Sequence, residues 1–520
     1  MVALNLLNAA WPPLSALIVV PAVGALVCLA PIFSARFDPR SRLCRMWAIA
    51  VSLLTLIILA AIARAATAMP GAALGLEEAR QWIPSLGVTY HLELDGLSFA
   101  FCLLTAVISL AVIAWSAKPA SAGSGWYALL LLGEATVMGS FLATDLVLFY
   151  IFFEAMLLPV IGAMALWGGA QRLTASLKFL VYTMVGSSLM FLSILYLGWH
   201  AQSMGHTLGG NFAFEITTLA SLKMLNPTEE LVLGLAFLLA FAIKIPMVPF
   251  HGWLPDTYRE APHGVAAFTA ALLGKVGIYA ILRFMWPLFP HFMVQAGPYL
   301  AAAGAIAIVF GALVAMAQKD LRSLLAYSSL SHLGFCVLGL AGVSTMAMTG
   351  AVFQAVSHGL VTAALFLTVG AIIDRQGSRD FDRLGGLARS IPLTAFFLMV
   401  FCIAGVALPL TSSFVGEFLI LVGSWELFPA WTTVALLGVV LGAVYTLTAY
   451  LKTMFGPMHA SDPVSGGDLR GFDVVILAAL AGAIIALGIF PAKLLDVISP
   501  AVQINAAVAV VADNSNSHSV

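Results

Sequence analysis

Residues 239–255 read LAFAIKIPMVPFHGWLP, an apolar run that holds Lys244 and, within two turns of it, Pro246 and Pro249. The run has the character of a bilayer span, where a charge costs at least ~2.5–3.5 kcal/mol. Proline removes a backbone hydrogen bond and clashes with the preceding turn. In a membrane the carbonyls so freed must be satisfied by protein or water, and transporters place broken helices of this kind at their midplane sites. The segment therefore predicts a discontinuous membrane helix with an ionisable group at its break.

Three other runs share this character. Glu154 interrupts LVLFYIFFEAMLLPVIG (146–162), Lys275 interrupts AAFTAALLGKVGIYAIL (266–282), and Glu417 interrupts LPLTSSFVGEFLILVG (408–423), where Pro409 and Thr411-Ser412-Ser413 form a second break. Ionisable side chains at such depths usually face a polar interior and mark an ion or proton path. Composition agrees with a membrane chain: 520 residues, 62% hydrophobic and 9% charged, with mean hydropathy +1.03. Soluble domains carry about 25% charged residues. The net charge of −1 gives no sign of nucleic-acid binding. Cys28, Cys44, Cys102, Cys336 and Cys402 are scattered without CxxC or a His pair at ligand spacing, which argues against disulfides, zinc and iron–sulfur clusters. Neither GxGxxG nor GxxxxGK[ST] occurs, so no nucleotide loop is expected.

Apolar runs of about 20 residues predict an all-α polytopic membrane protein with about fourteen transmembrane helices. Leu14–Phe33 reads as the first of them, not as a cleaved signal. The polar stretch 66–95 contains VTYHLEL (88–94), whose alternation fits a short hairpin strand, and the polar tail VADNSNSHSV (511–520) is expected to fray. With the N-terminus outside, Arg36, Arg40, Arg42, Arg45, Lys118, Arg172, Lys178, Arg259, Lys319, Arg322, Arg375, Arg379, Arg383, Arg389, Lys452 and Arg470 fall inside. Only Arg64, Arg80, Lys223, Arg283 and Lys493 fall outside. That bias predicts both termini on the non-cytoplasmic face. The broken segments are the seventh and twelfth spans, five apart, so they run in opposite directions. This fits two inverted five-helix repeats with discontinuous helices 7 and 12. The implied organisation is 1–120 for helices 1–3 and an external loop, 121–290 for the first repeat, 291–455 for the second, and 456–520 for helix 14 and the tail.

Each candidate has a plain structural alternative. Glu154 and Lys244 are natural partners, since an opposite charge relieves the cost of a buried one; a static ion pair between helices is the competing reading. Lys275 is either a relay or a lysine reaching for the interface. Glu417 is a terminal proton site or a helix-end carboxylate. His332 in AYSSLSHLGF and His358 in FQAVSHGLVTAALF can shuttle protons near neutral pH, or can simply pack. The cluster His251, Trp253, Asp256, Arg259, Glu260 and His263 reads as a solvated loop rather than a proton gate. Asp320 and Arg322 read as shaping an interfacial turn, and Trp126 and Trp167 as interface anchors.

FFEAMLLPV around Glu154, IKIPMVPFHGWLPDTYREAP around Lys244, LLGKVGIYAILRF around Lys275, LRSLLAYSSLSHLGF and FVGEF together resemble the antiporter-like membrane subunits of respiratory complex I, over about residues 95–452. Within that Mrp-related family the chain is similar to the M-type subunits, counterparts of mitochondrial NADH dehydrogenase subunit 4. Glu417 carries the distinction, because L-type, N-type and Mrp subunits generally have lysine there. Lys319 departs from the usual threonine, at the surface. The resemblance implies that Glu154 and Lys244 form the coupling pair, that Lys275 is the central relay assisted by His332 and His358, and that Glu417 is the terminal site. It also implies a proton-translocating role in an NADH:quinone oxidoreductase, beside L-type and N-type membrane subunits, membrane lipid and, indirectly, a peripheral redox arm. NADH, FMN, iron–sulfur clusters and quinone would belong to partner subunits, and no cofactor or metal to this chain. A Mrp-like cation/proton antiporter, a ferredoxin-dependent photosynthetic-type complex and a non-pumping scaffold are the alternatives. Alanine-rich helices and the N-terminus point to a bacterial cytoplasmic membrane.

Overall fold

A computed structural model describes residues 13–30, 42–67, 74–115, 119, 123–205, 212–221, 225–455, 457 and 467–503. Arg36, Arg40, Lys118, Lys223 and the tail 511–520 lie outside them. The described chain is a bundle of apolar helices. Eleven are long and apolar enough to cross a membrane, and Pro13–Leu29, Pro392–Gly405 and Ser412–Trp425 are shorter apolar helices.

The order begins with α1 (Pro13–Leu29), α2 (Arg42–Thr67) and a hairpin, β1 (Gly75–Ile83) paired antiparallel with β2 (Val88–Asp95). The alternation of VTYHLEL thus does form a strand. Next come α3 (Gly96–Ala114), α4 (Ser124–Leu142), and α5 (Leu146–Ala155) with α6 (Leu157–Trp167) in one span. Pro159 cannot bond the carbonyl four residues back, and the helix resets at Met156, one turn earlier. Then come α7 (Arg172–Ser203), the short α8 (Ile216–Ser221), α9 (Pro227–Lys244) and α10 (Leu254–Glu260). The span of α11 (His263–Ala280) continues through a π turn, Ile281–Met285, into α12 (Trp286–Leu288). The last third holds α13 (Pro290–Met316), α14 (Leu321–Leu340), α15 (Thr345–Gln376), α16 (Pro392–Gly405), α17 (Ser412–Trp425), α18 (Pro429–Met454) and α19 (Phe472–Ile489).

Helix starts obey local chemistry. Asp95 and Ser98 form a capping box on α3; Asn226 and Glu229 do so on α9, with Pro227 at its first position. Asp145 caps α5, Asp320 caps α14 and Ser344 caps α15. Gly377 ends α15 in the left-handed conformation that glycine adopts without steric cost.

Burial sorts the helices. Almost all of α11, α14 and α15 is inside the bundle, whereas α7, α18 and α19 expose rows of leucine, valine and phenylalanine. An apolar exposed perimeter around a polar-dotted centre is the inverse of a soluble protein and suits a lipid solvent. The two broken spans reach into that centre. Between α9 and α10 the Trp253 indole donates to the Ile243 carbonyl at 2.9 Å, supplying a partner that the helix no longer provides. Between α16 and α17 the chain turns through Ala407 and Leu410, both with positive φ, and the Thr411 hydroxyl donates to the Leu408 carbonyl at 2.7 Å. Non-glycine residues held there cost ~1–3 kcal/mol each and need firm surroundings.

Three sequence expectations are corrected. The 251–263 segment is packed, not a solvated loop: Trp253 is buried, Lys178 and Asp256 pair at 2.6 Å, and Glu260 accepts the Gln171 amide at 2.9 Å. Arg322 does not shape a surface turn; it is buried, donates to the carbonyls of Arg259 (2.8 Å) and Ala261 (2.7 Å), and contacts His263. Trp126 is buried edge-on against Trp167 instead of anchoring at an interface. Apart from these, Cys28 and Cys44 stand side by side between α1 and α2.

Candidate functional site

The helices bring Lys244, Lys275, His358 and Glu417 to the interior, with Glu154 and His332 part-buried. Lys244 closes α9, 1% exposed, where the break begins. Its ammonium lies 4.4 Å from the centroid of the Phe153 ring, a cation–π contact. Glu154 is the residue after Phe153 and acts on Lys244 electrostatically. The two are not in contact: among the described residues neither Lys244 Nζ nor Glu154 Oε1 has a hydrogen-bond partner, and no ion pair joins them within 4.0 Å. The pair is near but open.

Lys275 lies at the middle of α11 and is fully buried. Its Nζ donates to the Ala270 carbonyl at 2.6 Å and stands 2.9 Å from His358 Nδ1 on α15. A lysine reaching for the interface would have neither contact. Beyond His358 comes His332 on α14, its ring 5.7 Å away centroid to centroid and tilted by 40°. His332 Nδ1 in turn lies 2.9 Å from Glu417 Oε1 on α17. Lys275, His358, His332 and Glu417 thus form one line across four helices, with a single gap between the imidazoles.

Neutral polar groups fix the line, and of these the sequence singles out only Ser412 and Ser413, at the second break. Gln354 Nε2 donates to Glu417 Oε1 at 2.9 Å; Tyr445 OH is 3.5 Å from His332 Nε2 and 2.9 Å from Ser328 Oγ. Ser357 hydrogen-bonds Ser412 at 2.6 Å and Ser413 at 3.0 Å, tying α15 to the first turn of α17. Gln354 and Ser357 lie in the FQAVSHGLV stretch around His358, and spacing alone does not separate them from packing residues. A cavity of about 40 Å³, lined by His332, His358, Gln354, Ser328 and Ser413, runs toward Leu321 at the start of α14. A water needs about 10–15 Å³ of such volume and two or more polar partners, so the cavity can hold water beside both imidazoles.

Two charged groups stand apart from the line. Glu134, in the middle of α4, is fully buried; Ser52 on α2 donates to its Oε1 at 3.1 Å and its Oε2 has no partner among the described residues. It meets the criterion that singles out Glu154, a carboxyl inside the apolar run LLLLGEATVM (129–138), yet the sequence reading passed over it. Arg283, in the π turn, pairs with Asp95 at 2.7 Å and Glu93 at 3.5 Å and donates to Tyr279 OH at 3.0 Å. No group of three or more potential metal ligands occurs among the described residues.

Comparison with known proteins agrees with this geometry. Residues 143–443 match the family described as NADH:quinone oxidoreductase/Mrp antiporter, TM. NADH-quinone oxidoreductase subunit M of Rickettsia conorii is 35% identical over 81% of this chain and 84% of its own, and that of Rhodobacter capsulatus 37% over 82% and 83%. F(420)H(2) dehydrogenase subunit M of Methanosarcina mazei is 37% identical over 82% and 86%. A chain of respiratory complex I from Thermus thermophilus superposes with a TM-score of 0.85 at 30% identity, over 96% of this chain and all of that one. A chain of the Mrp complex from Dietzia shares the fold, with a TM-score of 0.80 at 24% identity over 94% and 96%. Taken with the broken spans and the buried lysine–histidine–glutamate line, these matches place the chain in the NADH:quinone oxidoreductase/Mrp antiporter family of membrane subunits.

Proposed function

We propose that the chain translocates protons as the M-type membrane-arm subunit of an NADH:quinone oxidoreductase. The observation that carries this reading is the buried line from Lys275 through His358 and His332 to Glu417, with hydrogen-bond distances at both ends and one gap in between. Fourteen spans in two inverted repeats, 121–290 and 291–455, with helices 1–3 in 1–120 and helix 14 in 456–520, supply the frame. Both termini lie on the non-cytoplasmic side of a bacterial cytoplasmic membrane. NADH, FMN, iron–sulfur clusters and quinone belong to partner subunits.

In this mechanism quinone reduction elsewhere in the complex changes the separation of Glu154 and Lys244. An open pair suits that task, because a closed ion pair would first have to be broken. Withdrawing Glu154 from Lys244, or returning it, alters the field at Lys275 one helix away. Lys275 then hands its proton to His358; water in the cavity carries it to His332, and His332 to Glu417. Moving one charge against 100 mV takes ~2.3 kcal/mol. At ε ≈ 20, two charges brought to 4 Å interact by ~4 kcal/mol, so closing or opening this pair covers the step.

The Mrp antiporter reading has the shared fold in its favour, and Glu417, where that class generally has lysine, against it. The test is reconstitution of the purified complex in liposomes, with donor oxidation and proton uptake measured together. Glu154→Ala and Lys244→Ala in assembled complexes should each abolish most quinone-coupled pumping. Normal pumping by either variant would sink the proposal.

A further inference from the structure

On an exposed apolar face, where α9 and α13 lie next to each other, two cavities join. One is polar, about 200 Å³, and includes Glu230, His291 and Gln295 beside Pro227 at the first turn of α9. The other is an open apolar groove of about 500 Å³ that runs down both helices past Leu235 and Ala242 on one side and Tyr299 and Ala303 on the other. Leu231, Phe292 and Gln295 line both, so the two form one site with a polar end and an apolar trough.

The polar end is built. Glu230 is only 6% exposed, and its Oε1 accepts the Phe292 amide at 3.0 Å. His291 Nδ1 is buried without a hydrogen-bond partner among the described residues. No lysine or arginine among the described residues lines this cavity. An acid and an unpaired imidazole, with no cation among the described residues that line the cavity, call for a ligand that brings its own positive charge together with an acceptor. A lone anionic headgroup would meet only repulsion from Glu230.

We propose that this site binds a zwitterionic aminophospholipid of the phosphatidylethanolamine class. The ammonium lies against Glu230, the phosphate accepts from His291, and one acyl chain fills the groove. Its length fits. From Leu231 to Ala242 the helix rises about 16 Å at ~1.5 Å per residue, and one leaflet of a ~30 Å hydrocarbon core is about 15 Å deep. Its girth fits too, since an extended acyl chain is much thinner than a helix about 10 Å across.

The test uses the assembled complex, purified in mild detergent and washed of bulk lipid, with retained phospholipid counted by mass spectrometry. The wild type should keep one more phosphatidylethanolamine per chain than the Leu235→Trp variant, whose indole fills the groove. Glu230→Gln should weaken rebinding of deuterated phosphatidylethanolamine by at least about tenfold, the loss expected when a charged hydrogen-bond partner is neutralised. Equal retention in all three proteins overturns the proposal, as does equal rebinding of phosphatidylglycerol or loss of all lipid from the wild type. A photoreactive phenylalanine analogue at position 235 gives a second reading. A lipid adduct supports the site; an adduct to a neighbouring subunit overturns it.

Discussion

The rings of His332 and His358 stand 5.7 Å apart, and each holds a different charged partner: Glu417 for the first, Lys275 for the second. Among the described residues no hydrogen bond joins the two imidazoles, so in the proposed relay the step between them passes through water, for which the adjoining cavity has room. A positioned proton-transfer group contributes ~10²–10⁴ in rate, part of which water can replace. His332→Ala and His358→Ala should therefore lower proton-coupled turnover by about 10-fold or more. Filling the cavity from outside the line tests the water itself. Ser329 also lines the cavity, and Ser329→Leu, which leaves both histidines in place, should slow pumping by a similar factor, checked by proton uptake in liposomes.

Lys275 sits between a carbonyl and an imidazole with no exposed surface. Arginine is larger, planar and always charged, so it neither fits nor releases a proton. Lys275→Arg should be as inactive as Lys275→Met, with at most about a tenth of normal pumping. Native gels should show full assembly of the Met variant, because a buried ammonium replaced by an apolar chain relieves desolvation.

How much of this was legible beforehand depends on the evidence each residue needed. Lys244, Lys275, Glu154 and Glu417 declare themselves because charge in an apolar run has few bland explanations. Both breaks were marked by prolines, and the strand of the hairpin by alternation. What the sequence could not show was contact between helices far apart in the chain. That His358 meets Lys275 while His332 meets Glu417 depends on α11, α14, α15 and α17 converging. The open separation of Glu154 and Lys244 was unreadable for the same reason. Arg322 and Trp126 were misplaced because position near a helix end says little about which side of that end faces the bundle.

Trp253 shows how a break is kept from unravelling. Its indole N–H meets the Ile243 carbonyl, and its ring packs on Phe179 with centroids 4.6 Å apart. Trp253→Phe keeps an aromatic ring against Phe179 and removes the donor. A buried acceptor left unsatisfied costs ~1–3 kcal/mol. The assembled variant should lose thermal stability by that order, and thermal unfolding of the purified complex would register it. An unchanged midpoint would mean that water takes over the carbonyl.

Glu134 looks by burial like a member of the proton path, but its surroundings differ. Its one described partner is the Ser52 hydroxyl, from which an amide oxygen can also accept, and no cation among the described residues pairs with it within 4.0 Å. Glu134→Gln should therefore pump at the wild-type rate. Glu134→Leu leaves Ser52 without its acceptor and should cost ~1–3 kcal/mol of stability. A large loss of pumping in the Gln variant would bring Glu134 into the path.

Arg283 and Asp95 lock the hairpin end of α3 to the π turn after α11. Their side chains are 12% and 16% exposed and 2.7 Å apart, and Glu93 and Tyr279 complete the cluster. A π turn adds one residue to the helical repeat and so re-aims the side chains beyond it; here it points a guanidinium at two carboxylates. Breaking such a pair from one side costs ~3–5 kcal/mol, chiefly because the remaining charge is buried alone. Arg283→Gln should sharply reduce the amount of assembled complex on native gels. Asp95→Asn in the same chain removes one of the two stranded carboxylates and keeps the amide acceptor for the Ser98 N–H that caps α3. The double variant should accordingly recover part of the assembly lost in the single one. If Arg283→Gln assembles normally, Glu93 and Asp95 are satisfied by something other than the arginine, and the hairpin is held by its packing alone.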